Sequence, residues 1–204
     1  GINDFSAHEV IHNLGFDEIN KIIKYFGDEA KSKLISRKIV NLRKTNNINT
    51  EELVKIIDSI KRKNPKKINN ATKTFQALRI FVNKEITELI NGIIKATKLL
   101  KPGGKILVIS FHSIEDKIVK YFFNNFSSNK SKPSRYFPED NNENLILFEK
   151  YSNKIITASE GEIKKNKPSR SAKLRFAVRN KNEFFFTDNL LKKFKKYTDI
   201  EAIN

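Results

Sequence analysis

The side chains able to do chemistry gather at a few places in this sequence. His8 and His12 lie one helical turn apart, which is metal-ligand spacing, but two histidines without a third partner are more often plain helix residues, and no metal site is expected. Phe111-His112-Ser113, with Asp116 just behind, brings a hydroxyl, an imidazole and a carboxyl together. Neighbours at one helix start cannot form a proton relay, so a hydrolase is a poor reading. Thr72, Lys73, Thr74, Gln76, Arg79 and Asn83 open a helix. Gln76, Arg79 and Asn83 share a polar face, and a helix N-terminus beside Lys73 suits a phosphate; the alternative is a solvated face with Thr74 as N-cap. Arg170, Lys173 and Arg175 either grip RNA or face solvent. No residue is assigned as catalytic.

The elements that must position these groups follow from periodicity. Residues up to about 70 read as helices. Ser6 and Glu9 form a capping box with Phe5 and Val10 as a staple, Asp17 to Gly27 is a second helix, Glu29 to Lys44 a third, and Asn49 or Thr50 caps a fourth. A basic, proline-containing loop follows, Lys61 to Lys67. Phe75, Leu78, Val82, Ile86, Leu89, Ile93 and Leu100 then recur at helical steps, predicting one long helix that ends at Lys101-Pro-Gly-Gly104.

"KILVISF" is apolar nearly throughout, as a strand covered on both faces of a parallel sheet would be. Ser113 is expected to cap the next helix, with Asp116 three residues on. Ser127 to Asn144, with Pro133 and Pro138, reads as an irregular excursion. "LILFEKY" and "KIITAS" are short strand candidates, and "KKNKPSR" is a basic loop. "SAKLRFAV" alternates, with Ala172, Leu174, Phe176 and Val178 on one face and Lys173 and Arg175 on the other, so it reads as a half-buried strand. A last helix is expected in the lysine-rich tail after Lys181. The order predicts an α/β arrangement with an undersized sheet.

The bulk numbers narrow the function. The 204 residues suffice for one domain or two small ones, and contain no bilayer-length apolar run. The absence of cysteine excludes disulfides and cysteine-ligated metals. A net charge of +17 favours a polyanion partner, most simply nucleic acid, although an AT-rich codon bias would also enrich lysine. The cytoplasm is the simplest compartment, with no membrane partner.

Certain motifs then carry a resemblance. A helix running into Leu-Lys-Pro-Gly-Gly and an apolar strand resembles the approach to the fifth strand of class I methyltransferases. "ATKTFQALRIFVNKEI" (71–86), "ISFHSIEDKIVK" (109–120) and "SRSAKLR" (169–175), in this order, resemble the RsmH (MraW) type family, which methylates the N4 amino group of a cytosine in bacterial 16S ribosomal RNA. Asn69 and Asn70 stand where the family usually has His-Pro, and Lys73 replaces an arginine, which keeps the charge but loses the bidentate fork. Pro168 is displaced from the usual Asn-Pro.

The resemblance implies S-adenosylmethionine as cofactor and 16S rRNA in the small subunit as partner. It makes 1–70 a helical substrate-recognition insertion and 71–204 the C-terminal part of a class I, Rossmann-like methyltransferase domain. The family's glycine-rich cofactor turn has no counterpart here, so the expectation is a piece lacking the N-terminal cofactor-binding half and inactive alone. Phe111, His112 and Ser113 become candidates for a wall of the cofactor or cytosine pocket; otherwise Ser113 merely caps a helix and His112 satisfies a loop carbonyl. The alternative is a basic RNA-binding or ribosome-assembly module without catalysis.

Overall fold

A computed structural model describes residues 6–61, 69–127, 146–185 and 188–203. Phe5, most of the basic loop after Lys61, and all but the first residue of the excursion from Ser127 to Asn144 lie outside the described residues. The chain forms two compact units, one built from Gly1–Glu88 with Lys195–Asn204, the other from Leu89–Phe194.

The first unit is helical. Its elements are α1 (Ala7–Asn13), α2 (Phe16–Gly27), α3 (Ser32–Leu42), α4 (Thr50–Ile60), α5 (Thr72–Val82), the start of α6 (Glu85–Leu99) and the end of α9 (Asn189–Glu201). Isoleucine and phenylalanine at helical spacing make its core: Ile19, Ile22, Ile23 and Phe26 of α2, Ile35 and Ile39 of α3, Leu53 and Ile57 of α4, and Ile80 and Phe81 of α5. Each such side chain contributes roughly 1.5–3 kcal/mol by leaving water.

The capping box forms as expected, with Glu9 N–H donating to Ser6 Oγ and Ser6 N–H to Glu9 Oε2. Asn49, of the two residues considered, caps α4. Gly27 permits the close crossing of α2 and α5, because a Cβ there would stand 2.5 Å from the Lys73 carbonyl oxygen.

The expected long helix from residue 71 to 100 is two helices. Lys84 adopts φ +48°, in the left-handed region that costs a side-chain-bearing residue about 1–2 kcal/mol, and α5 stops before it. The break is held from far along the chain. Glu201 is 1% exposed, and its carboxylate accepts from the Ile86 and Thr87 N–H groups and the Thr87 hydroxyl at 2.6–2.8 Å. It thus satisfies the first-turn donors that a broken helix exposes. Burial pushes this carboxyl above the ordinary glutamate range, against the pull of those donors. The break also turns the apolar stripe, so Ala77, Leu78, Ile80 and Phe81 are buried while Phe75 and Val82 are half-buried.

The second unit carries the sheet: β1 (Lys105–Ser110), α7 (Ser113–Asn125), β2 (Phe148–Tyr151), β3 (Ile156–Thr157), α8 (Glu160–Lys165), a 3₁₀ turn (Lys167–Ser171) and β4 (Lys173–Arg179). β4 pairs antiparallel with β1 along one side and with β2 and then β3 along the other. Among the described residues the strand partner of β1 is antiparallel, and its other edge pairs with no described strand. α7 packs on one face through Ile114, Ile118, Phe122 and Phe123, and Phe148 meets Phe122 and Phe123 edge-on at 5.8 and 5.4 Å. The basic loop of residues 164–170 is largely ordered as α8 and the 3₁₀ turn.

Two expectations about this sheet reverse. β1 is covered on one face only, since Leu107 is 61% and Ile109 59% exposed. In β4 the residues facing the core are Arg175, Ala177 and Arg179, whereas Leu174, Phe176 and Val178 lie on the half-exposed face. Register puts Leu107 opposite Phe176 and Ile109 opposite Leu174, and Ile156 opposite Leu174 too, so one sheet face is an apolar surface. The reason is partner supply. Arg175 meets a carboxylate on the buried side, and Arg179 donates to the carbonyls of Leu147, Asn180 and Asn182.

Replacing Glu201 with Ala strands the Ile86 and Thr87 amides. The loss expected in urea unfolding is about 1–3 kcal/mol, with Asp199→Ala, which removes an exposed ion pair with Lys195, as a comparison expected to lose about 0.5 kcal/mol at most.

Candidate functional site

The antiparallel register brings the end of β1 beside the start of β4, with Ser110 opposite Lys173. Phe111, His112 and Ser113 therefore share a sheet end with Lys173 and the preceding 3₁₀ turn that bears Arg170. The strand-to-helix turn is tightly held. Glu115 Oε2 accepts from the Phe111 N–H at 2.7 Å and the His112 N–H at 3.2 Å, while His112 Nδ1 accepts from the Glu115 N–H at 3.4 Å.

His112, not Ser113, is thus the N-cap of α7, a correction of one residue. The shift arises because only a cap at 112 puts Glu115 at the reciprocal position. His112 is buried, its Nε2 3.4 Å from Glu115 Oε1, which makes it a positioning group. Ser113 is exposed and released from capping, and Phe111 is 51% exposed, standing at the end of the Leu107–Ile109 surface.

Behind the turn Asp116 collects two cations, Arg175 Nε at 2.7 Å and Lys173 Nζ at 3.4 Å. Burial raises the Asp116 carboxyl, but hydrogen bonding and charge from Arg175 and then Lys173 outweigh it, leaving the group below the ordinary aspartate range. Arg175 is 5% exposed, so its charge is spent inside the unit, and Lys173 keeps a partly open ammonium. Arg170 is exposed and bonds only the Lys167 carbonyl among the described residues. The sequence reading missed Glu115 and did not recognise Asp116 as the partner of Arg175; their spacing from residue 112 was the available signal.

The polar residues of α5 belong to the first unit. Thr72 and Lys73 are exposed, and Gln76 is half-buried. Thr74 points inward with no exposure, and Ala71 occupies the cap position, so Thr74 is not the cap. Arg79 makes a bidentate pair with Glu85, at 2.7 and 3.0 Å, and Asn83 joins the same carboxylate at 3.3 Å. Lys73 Nζ donates to the Asp28 carbonyl at 2.7 Å. The histidines at metal spacing have other work: His12 Nδ1 donates to the His8 carbonyl, and its Nε2 accepts from the Ile48 N–H.

A family model described as the MraW methylase family matches residues 2–180. The chain belongs to this family. It is 40% identical over 200 residues to ribosomal RNA small subunit methyltransferase H of Bartonella henselae, covering 97% of this chain and 57% of that protein. To the protein of the same name from Ehrlichia canis it is 43% identical over 175 residues, 85% of this chain and 56% of the relative. The chain spans a little over half the length of these relatives. Both the sheet end and the α5 face fall inside the matched span, whereas α9, with Glu201, lies beyond it.

Asp116→Asn removes the carboxylate that compensates a buried guanidinium, and the expected loss in denaturant unfolding is about 3 kcal/mol. Because the folded pKa is depressed, this contribution is present above the unfolded value and fades as pH falls below about 4. Unfolding measured against pH is expected to show an acid loss that Asp116→Asn flattens.

Proposed function

We propose that this chain is the RNA-facing part of a cytoplasmic enzyme that methylates the N4 amino group of a cytosine in 16S ribosomal RNA of the small subunit. In this reading residues 1–70 are the helical recognition insertion, and 71–204 the later part of a class I, Rossmann-like methyltransferase domain. Family membership supports it, and the observation that carries it is the sheet end, where the exposed Phe111, the exposed Ser113 hydroxyl, Arg170 and the partly open Lys173 meet at the edge of an apolar face that is exposed among the described residues.

S-adenosylmethionine supplies an electrophilic methyl group whose sulfonium leaves as a neutral thioether. The residues here fit one side of such a group. Phe111 offers a flat apolar wall, the Ser113 hydroxyl is unoccupied by capping, and the Glu115–His112 lock fixes both in place. The sequence offers no glycine-rich turn for the rest of the cofactor, which this proposal assigns to the portion of the relatives' length that the chain does not span. Leu107 and Ile109 give that portion a surface to cover.

The chain's own residues have positioning work. Arg170 and Lys173 at the sheet end, with Thr72, Lys73 and Gln76 on α5, hold RNA phosphate and sugar edges. Arg175 and Arg79 act through their carboxylates, keeping Lys173 and the α5–α6 break in place. The target base must leave its stack or lie in an unpaired loop to be reached, and alignment supplies most of the rate. Asn83 supports the same break, and Thr74 the inner face of α5.

The test uses full-length protein, labelled S-adenosylmethionine and small subunits from cells lacking the modification. Label is expected in N4-methylated cytidine after nuclease digestion, with Phe111→Ala losing at least about tenfold in turnover, on the scale of a misplaced reactant. Undiminished RNA binding with no label in any nucleoside would favour the non-catalytic RNA-binding module instead.

A further inference from the structure

Within the first unit, α2, α3 and α5 border an open cleft of about 490 Å³ that Lys24, Lys33 and Lys73 line together with Asp28, Glu29 and Ser32. These lysines come from three separate helices. Three ammonium groups around one cleft repel unless anions answer them, so the carboxylates there decide its character. Glu29 is committed elsewhere: it is 4% exposed, pairs with Lys61 at 2.6 Å and accepts from the Lys31 N–H at 3.0 Å. The carboxylate of Asp28, the left-handed cap of α2, has Lys73 at 3.8 Å as its ion-pair partner among the described residues. Lys24 and Lys33 have no carboxylate partner among the described residues.

The basic surface continues past the cleft. Tyr25 has Lys24 Nζ 5.3 Å from its ring centre and Lys196 Nζ of α9 only 3.4 Å away. With Lys196 already on its face, the ring serves as a seat that steadies a cation, worth about 0.5–1 kcal/mol at an exposed position. The buried Glu201, five residues on, anchors that end of α9 to the same unit. A segment outside the family-matched span thus delivers a further ammonium to Tyr25, the neighbour in sequence of the cleft-lining Lys24.

We propose that the cleft is a seat for backbone phosphate of the RNA strand, with Lys24 and Lys33 as the open cations, Lys73 oriented by Asp28, and Lys196 extending the track. Phosphates of a flexible single strand suit flexible ammonium groups, which act as point charges without a bidentate geometry. The choice of RNA as the polyanion rests on the methyltransferase reading; the anion seat itself rests on the cleft.

The experiment measures anisotropy of a fluorescein-labelled oligouridine RNA with the full-length protein over a range of salt. Lys24→Glu/Lys33→Glu is compared with Lys98→Glu/Lys101→Glu, an equal charge change at exposed positions of the other unit. The cleft pair is expected to weaken binding several-fold and to lower the salt slope by about 1.4, from two phosphates at about 0.7 each. The comparison pair should leave the slope nearly unchanged. Lys24→Gln/Lys33→Gln, with unaltered thermal unfolding, repeats the measurement without introducing acids.

Equal weakening by both charge-reversed pairs, or no effect of the cleft pair, overturns the seat. A protein that binds RNA through the cleft yet methylates nothing sinks the enzymatic reading and leaves the seat standing. Methylation that survives cleft substitutions at unchanged RNA affinity does the reverse.

Discussion

The contact between Asp116 and Arg175 decides which way the sheet faces. Alternation along β4 offers two choices: Leu174, Phe176 and Val178 toward α7, or Arg175, Ala177 and Arg179. Apolar transfer favours the first by a few kcal/mol. A guanidinium bound at 2.7 Å to a part-buried carboxylate, with carbonyls waiting for Arg179, allows the second. Once Arg175 turns inward, pairing in register carries Leu107 and Ile109 outward with Leu174 and Phe176. The apolar surface and the exposed Phe111 at its end follow from one ion pair.

A surface of that kind is costly to leave in water, and the outer edge of β1, which pairs with no strand among the described residues, adds a second liability. Both are rational if another part of the protein covers them, which fits a chain spanning a little over half of its relatives. Among the described residues isoleucine, leucine and phenylalanine fill the core of the helical unit, and Glu201 anchors the C-terminal helix to it. The two units thus present different surfaces, one apolar and edged, the other basic and cleft.

Much of this was legible in the sequence where signals are local. The Ser6–Glu9 box, the end of α2 at Gly27, a cap for α4 at one of two adjacent residues and the apolar β1 all depend on residues within a turn of one another, and they stand where spacing puts them. The departures share a cause. The α5–α6 break has no glycine to mark it and is satisfied by a carboxylate 115 positions away. The inward face of β4 depends on Asp116, 59 positions distant, and the cleft gathers Lys24, Lys33 and Lys73 from separate helices. Periodicity reports burial tendency, and buried charge with distant partners overrules it. The site followed the same rule: the turn at Phe111–Ser113 was visible as a motif, whereas its lock by Glu115 required knowing which residue is the cap.

The central claim is that this chain carries one wall of a methyl-donor site and another portion of the protein carries the remainder. Calorimetric titration of S-adenosylmethionine into the 204-residue chain and into full-length protein, side by side, tests it most directly. The account predicts saturable heat with the full-length protein and none above dilution with the chain alone. Saturable binding to the chain alone would contradict it, and would place a complete cofactor site among residues assigned here to recognition and core.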